Sequence, residues 1–143
     1  MSIASFPTPA AGGLAVLQPA GWVKPKGYAN GIAARGMVIV TGGQIGWTPA
    51  GVFEAHDLPG QIRQTLSNVV DVIAEAGARP EHIVRMTWYV IDIAAYRSQT
   101  EEIGAAYRSV MGKHFPAMAL VQVAGLVETE ALVEIEATAV LPD

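Results

Sequence analysis

The sequence predicts an α+β protein, built as a mixed sheet with two helices packed on one face and organised as one domain over residues 1–143. Three observations carry this reading. Strand-like segments alternate with two amphipathic helical segments in the order β-β-β-α-β-α-β-β. No linker, repeat or low-complexity tract divides the 143 residues, a length that suits one core. The later strand segments are apolar on both sides, so the sheet face away from the helices needs a cover of its own.

Residues 1–13, rich in Ala, Pro, Gly and Ser, read as a loose lead-in with no basic n-region and no sustained apolar segment, hence not a secretory signal. Residues 14–17 form a short first strand, ended by Pro19. Gly31 to Ala34, the Arg35-Gly36 turn and the β-branched run from Met37 read as a hairpin, with Gly36 supplying a positive φ. Gly42, Gly43 and Gly46 then end or bulge its second strand.

The first helix has the clearest signature. Asp57 is placed to cap it, Pro59 is tolerated in its first turn, and Ile62, Leu66, Val69, Val70 and Ile73 recur at helical spacing up to a stop at Gly77. A strand over 83–92 follows, then a second helix over 94–111 with Ile103, Tyr107 and Val110 on one stripe. Strands over 118–123 and 132–140 close the chain. In the first of these, Ala117, Ala119, Val121 and Val123 oppose Met118, Leu120 and Gln122. In the strand before it, Met86, Trp88 and Val90 oppose Ile83, Tyr89 and Ile91. Strands apolar on both sides, with helices on one, point to a subunit interface.

Composition supports self-association: apolar residues make up 51% of the chain and the mean hydropathy is +0.33, yet no apolar run approaches the roughly 18 residues of a membrane span. The formal charge is −4, and the 9 basic residues form no stripe, which argues against nucleic acid as a partner. There is no cysteine, so disulfides, zinc-thiolate sites and thiol nucleophiles are excluded. His56, His82 and His114 lie far apart without ligand spacing, so no metal is expected. Gly42-Gly43-Gln44-Ile45-Gly46 lacks the Lys-Ser/Thr of a phosphate loop, and no G-x-S-x-G occurs. A cytoplasmic location is the expectation.

Four segments resemble one family when taken together: Gly27-Tyr28-Ala29-Asn30-Gly31, Val40-Thr41-Gly42-Gly43-Gln44-Ile45, Gln64-Thr65-Leu66-Ser67-Asn68-Val69, and Phe115-Pro116-Ala117 with the closing Val133-Glu134-Ile135-Glu136-Ala137-Thr138-Ala139. Their order and spacing resemble the RidA/YjgF (reactive intermediate deaminase) family from about residue 28 to residue 140. The resemblance implies a chorismate-mutase-like fold and a homotrimer with inward-facing sheets and small-molecule pockets between subunits. It also implies hydrolysis of enamines or imines to a keto acid and ammonia without a cofactor. Carried onto this chain, it makes Glu134 the residue that holds the attacking water, with Tyr28 and the Gly43 amide lining the pocket. The family's carboxylate-binding arginine falls on Met118, and a frequent serine falls on Gly42. A thioether cannot replace a bidentate guanidinium–carboxylate pair. The expected pocket floor is therefore apolar, made by Met118 and Leu120 with Trp88 nearby.

Glu134 and Glu136 share one strand face; without the resemblance, solvation at the rim or salt bridging across an interface explains them as well as acid–base work does. With it, Glu134 is the catalytic residue and Glu136 a structural one. Asn68 reads as a helix-to-loop tie, while Arg35 and Arg85 are cations that could replace the lost guanidinium or simply lie at the surface. The function expected is hydrolysis or deamination of a small imine or enamine that needs no arginine clamp. A non-catalytic ligand-binding or regulatory trimer is the alternative, and an endoribonuclease is disfavoured by the acidic charge.

Overall fold

The computed structural model describes residues 13–143. The lead-in expected over 1–13 lies outside them except for Gly13.

Strand β1 (Leu14–Leu17) pairs antiparallel with β2 (Gly31–Ala34) as a separate two-stranded sheet. The main sheet has the order β3-β7-β5-β6, formed by β3 (Met37–Val40), β7 (Val133–Leu141), β5 (Ile83–Val90) and β6 (Ala117–Gln122), and short β4 (Gln44–Ile45) also pairs with β7. Only β5 and β6 run parallel among these pairs, so the sheet is mixed. The hairpin expected at Gly36 does not form, because β2 and β3 belong to different sheets. Gly36 has φ 145°, and a Cβ there would meet the Leu141 carbonyl. The glycine is thus needed for close passage beside the end of β7, where the chain leaves one sheet for the other.

Helix α1 (Leu58–Ala74) begins as the sequence predicts: Asp57 accepts a hydrogen bond from the Gly60 N–H at 3.0 Å, and Gly77 beyond the end has φ 84°. The second helix is broken into α2 (Ile93–Ser98) and α3 (Thr100–Met111). Gln99 leaves the helical region at φ −125°, ψ 29°, and its side chain bonds back to the Ala95 carbonyl. The break resets the helical phase before the apolar stripe of α3 begins.

The helices pack on one sheet face. Ile62, Leu66, Val69 and Ile73 of α1 and Ile103, Tyr107 and Met111 of α3 close over Met86, Trp88, Val90, Val133, Ile135 and Ala137. Each fully buried aliphatic side chain there contributes about 1.5–3 kcal/mol. Ile83 joins this core rather than the opposite face, because an irregularity between Ile83 and Arg85 shifts the β5 register. The far face of the sheet is less apolar than strict alternation implied: it carries Arg85, Thr87, Tyr89, Glu134 and Glu136 in its middle strands. Its flanking strands present Val38, Val40 and Val121, which are 65%, 69% and 45% exposed. No helix among the described residues is long and apolar enough to cross a membrane.

Candidate functional site

Two polar side chains of α1 fix the loops that build the site. Asn68 donates to the carbonyls of Ile45 (3.0 Å) and Trp47 (2.7 Å), and so holds β4, as its expected role of helix-to-loop tie requires. Gln61, fully buried, donates to Ala55 and Glu130 carbonyls and accepts from the Leu132 N–H at 2.8 Å, which anchors the start of β7. Buried amides satisfied in this way position backbone that no apolar contact could orient.

Between those anchors, Ile45 pairs with Glu134, and Gly43 lies directly against the Glu134 carboxylate. A Cβ on Gly43 would come within 2.8 Å of Glu134 Cδ, whereas a Cβ on Gly42 would meet nothing within 4 Å. Glu134 is half-buried, with one strand neighbour in Tyr89. Glu136 shares its face, as expected, and accepts a hydrogen bond from Tyr89 Oη at 2.8 Å. That bond, more than any other influence, raises the Tyr89 pKa above the ordinary phenol value.

Met118, Leu120 and Trp88 lie on the other face. Met118 pairs with Met86 and Leu120 with Trp88, so all four side chains point toward the helices. Trp88 is 1% exposed and belongs to the core, and Leu120 packs against that core. The expected floor of Met118, Leu120 and Trp88 therefore does not adjoin Glu134 within one subunit: alternation along β5, β6 and β7 puts the two groups on opposite sides of the sheet. Met118 and Trp88 do share a cavity of about 330 Å³, whose wall includes Gly27, Tyr96, Tyr107 and Arg108. Tyr28, 43% exposed, stands between Gly27 of that wall and Ala29, whose N–H donates to the Pro116 carbonyl at 3.0 Å. The backbone thus groups Tyr28 with Met118 rather than with Glu134.

Neither arginine singled out from the sequence reaches Met118. Arg35 is exposed at the corner between β2 and β3. Arg85 borders a separate cavity of about 300 Å³ on the far face with Thr41, Thr87 and Glu136. The cation beside Met118 is Arg108, which the sequence reading passed over. Its one legible signal is that the helix positions three and four residues away, Gly104, Ala105, Met111 and Gly112, contain no acid to pair with it.

Two of the three histidines have structural partners. His82 Nδ1 accepts from the Arg79 N–H, and His114 Nε2 lies 2.7 Å from the Ile83 carbonyl oxygen.

A mixed sheet is thus covered by two main helices on one side, and on the other a glutamate of its interior strand β7 lies against a glycine. The model of the endoribonuclease L-PSP family matches residues 23–141. The 2-iminobutanoate/2-iminopropanoate deaminase of Salmonella typhimurium is 35% identical over 116 residues, covering 79% of this chain and 86% of that protein. Among solved structures, the Rid-family protein YyfB of Yersinia pestis superposes with a TM-score of 0.74 at 32% identity, covering 90% of this chain and 99% of that one. TdcF of Escherichia coli with bound serine gives a TM-score of 0.63 at 31% identity over 84% and 91% of the two chains. The chain belongs to this family, the RidA/YjgF family that its motifs resemble.

Proposed function

We propose that this protein is a homotrimeric, cytoplasmic imine or enamine hydrolase whose site is completed between subunits. The observation that carries the proposal is the division of the predicted site residues. Glu134 with Gly43 lies on one side of the sheet and Met118 on the other, so one subunit alone presents only half a site. A second copy that covers the exposed Val38, Val40 and Val121 would bring unlike halves together.

In the proposed reaction, the Glu134 carboxylate accepts a hydrogen bond from water and takes its proton as the oxygen attacks the C=N carbon. Glu134 returns that proton to the nitrogen, then takes the proton of the new hydroxyl and passes it on as the C=O bond forms, the C–N bond breaks and ammonia leaves; Gly43 lies against the same carboxylate. The similarity to a 2-iminobutanoate/2-iminopropanoate deaminase supports this class of chemistry. Met118 in the clamp position argues for a substrate other than 2-iminopropanoate.

The test is hydrolysis of imines made in place by an amino-acid oxidase. Acceleration by the wild type, lost in Glu134→Gln, is the expected result. Equal rates for the two would leave ligand binding without catalysis as the better reading, which the missing clamp arginine already favours.

A further inference from the structure

We infer that Arg108 binds the substrate carboxylate in the Met118 cavity and that the cavity selects acids with an aromatic or large branched side chain. The inference rests on the proposed deaminase reading and names the substrate class for that site. Four observations carry it.

The first is position. Arg108 and Met118 border the same cavity, and its volume of about 330 Å³ falls within the roughly 300–1,000 Å³ typical of small-molecule sites. Second, Arg108 forms no side-chain hydrogen bond or ion pair among the described residues, where the single ion pair is Arg79–Glu81. Gly104, also in the cavity wall, leaves the guanidinium room to lie back along α3: a Cβ at Gly104 would be 3.1 Å from Arg108 Nη1.

Third, the wall is aromatic. Tyr107 stacks on Phe115 with centroids 5.4 Å apart and planes 8° apart, Trp88 lies 6.2 Å from Tyr107, and half-buried Tyr96 faces the same space. Burial pushes the hydroxyls of Tyr96 and Tyr107 up from their ordinary pKa, and Tyr107 donates to the His114 carbonyl, so neither adds negative charge near an incoming anion. Fourth, the indole N–H of Trp88 is the single buried side-chain polar atom without a partner among the described residues, and Trp88 is one of the residues that line this cavity. An unpaired buried donor is costly, and a site that takes a polar ligand is one place where such a donor persists.

Arg108 also sits in the last turn of α3, where any cation suits the helix dipole. Lysine keeps that charge but not the planar fork that grips a carboxylate, so the two roles separate by substitution.

The experiment is calorimetric titration of the intact protein with phenylpyruvate and pyruvate, the oxo acids of an aromatic and a small imino acid. The wild type is expected to bind phenylpyruvate at least about tenfold more tightly than pyruvate. Arg108→Gln should weaken phenylpyruvate about tenfold or more, Arg108→Lys should recover only part, and both should keep the wild-type melting temperature within a few degrees. Unchanged phenylpyruvate affinity in Arg108→Gln, or equal affinity of the wild type for the two acids, overturns the inference. Glu134→Gln serves as the separate arm: it should bind phenylpyruvate normally while losing imine hydrolysis. Normal hydrolysis by that variant sinks the assigned water-handling role and leaves the Arg108 titration to be judged by itself.

Discussion

Gly43 and Glu134 leave no room between them: a Cβ on Gly43 would overlap the Glu134 carboxylate oxygen. The contact arises because β4 is only two residues long and pairs with β7 at Ile135 and Glu134, which draws the preceding glycine onto that side chain. Backbone and carboxylate are thereby held at one point without a bulky neighbour.

Gly43→Ala is expected to displace the Glu134 carboxylate and lower imine hydrolysis at least about tenfold, since misplacing a reacting group by an ångström costs up to a hundredfold. Gly42→Ser, one residue earlier and facing open space, should leave fold and activity intact. An equally active Gly43→Ala variant would show that Glu134 is not held by this contact for catalysis.

Light scattering after gel filtration should report about three times the chain mass of 15.0 kDa. Val40→Lys places a charge on the exposed valine rim of the far face and should shift the population toward monomer in dilute solution. A monomeric wild type at micromolar concentration would contradict the assembly and the divided site together.

Gln61→Leu tests the anchor beneath the site. It keeps the helix but leaves the Leu132 N–H and two carbonyls without their partner. Orphaning the N–H alone costs about 1–3 kcal/mol. The melting temperature should fall by roughly 2–4 °C per kcal/mol, as differential scanning calorimetry would show. An unchanged value would mean that the three bonds contribute nothing to folding.

Alkaline stability should depend on Tyr107. Burial raises its folded-state pKa above the unfolded value of about 10, so below that pH both states keep the proton and stability is full. As pH rises past about 10, the unfolded chain releases the proton first and stability falls, by up to about 1.4 kcal/mol per pH unit per group. Urea midpoints at about pH 8 and about pH 11 should differ less in Tyr107→Phe than in the wild type. An equal difference in the two proteins would assign the alkaline loss elsewhere.

The sequence by itself determined α1 with its Asp57 cap and Gly77 stop, the strand status of 14–17, and the shared face of Glu134 and Glu136. These are set by neighbours a few residues apart, through capping bonds and side-chain periodicity. Its motifs also named the family. Tertiary structure decided what depends on partners distant in the chain: that β3 joins β7 rather than β2, and that Ile83 turns into the core. It also put Met118 and Trp88 on the helix side of the sheet, away from Glu134, with Arg108 as their cation. A strand pattern states which residues alternate, but pairing register and the packing of helices choose which face is buried, because β6 holds apolar residues on both faces and does not decide alone.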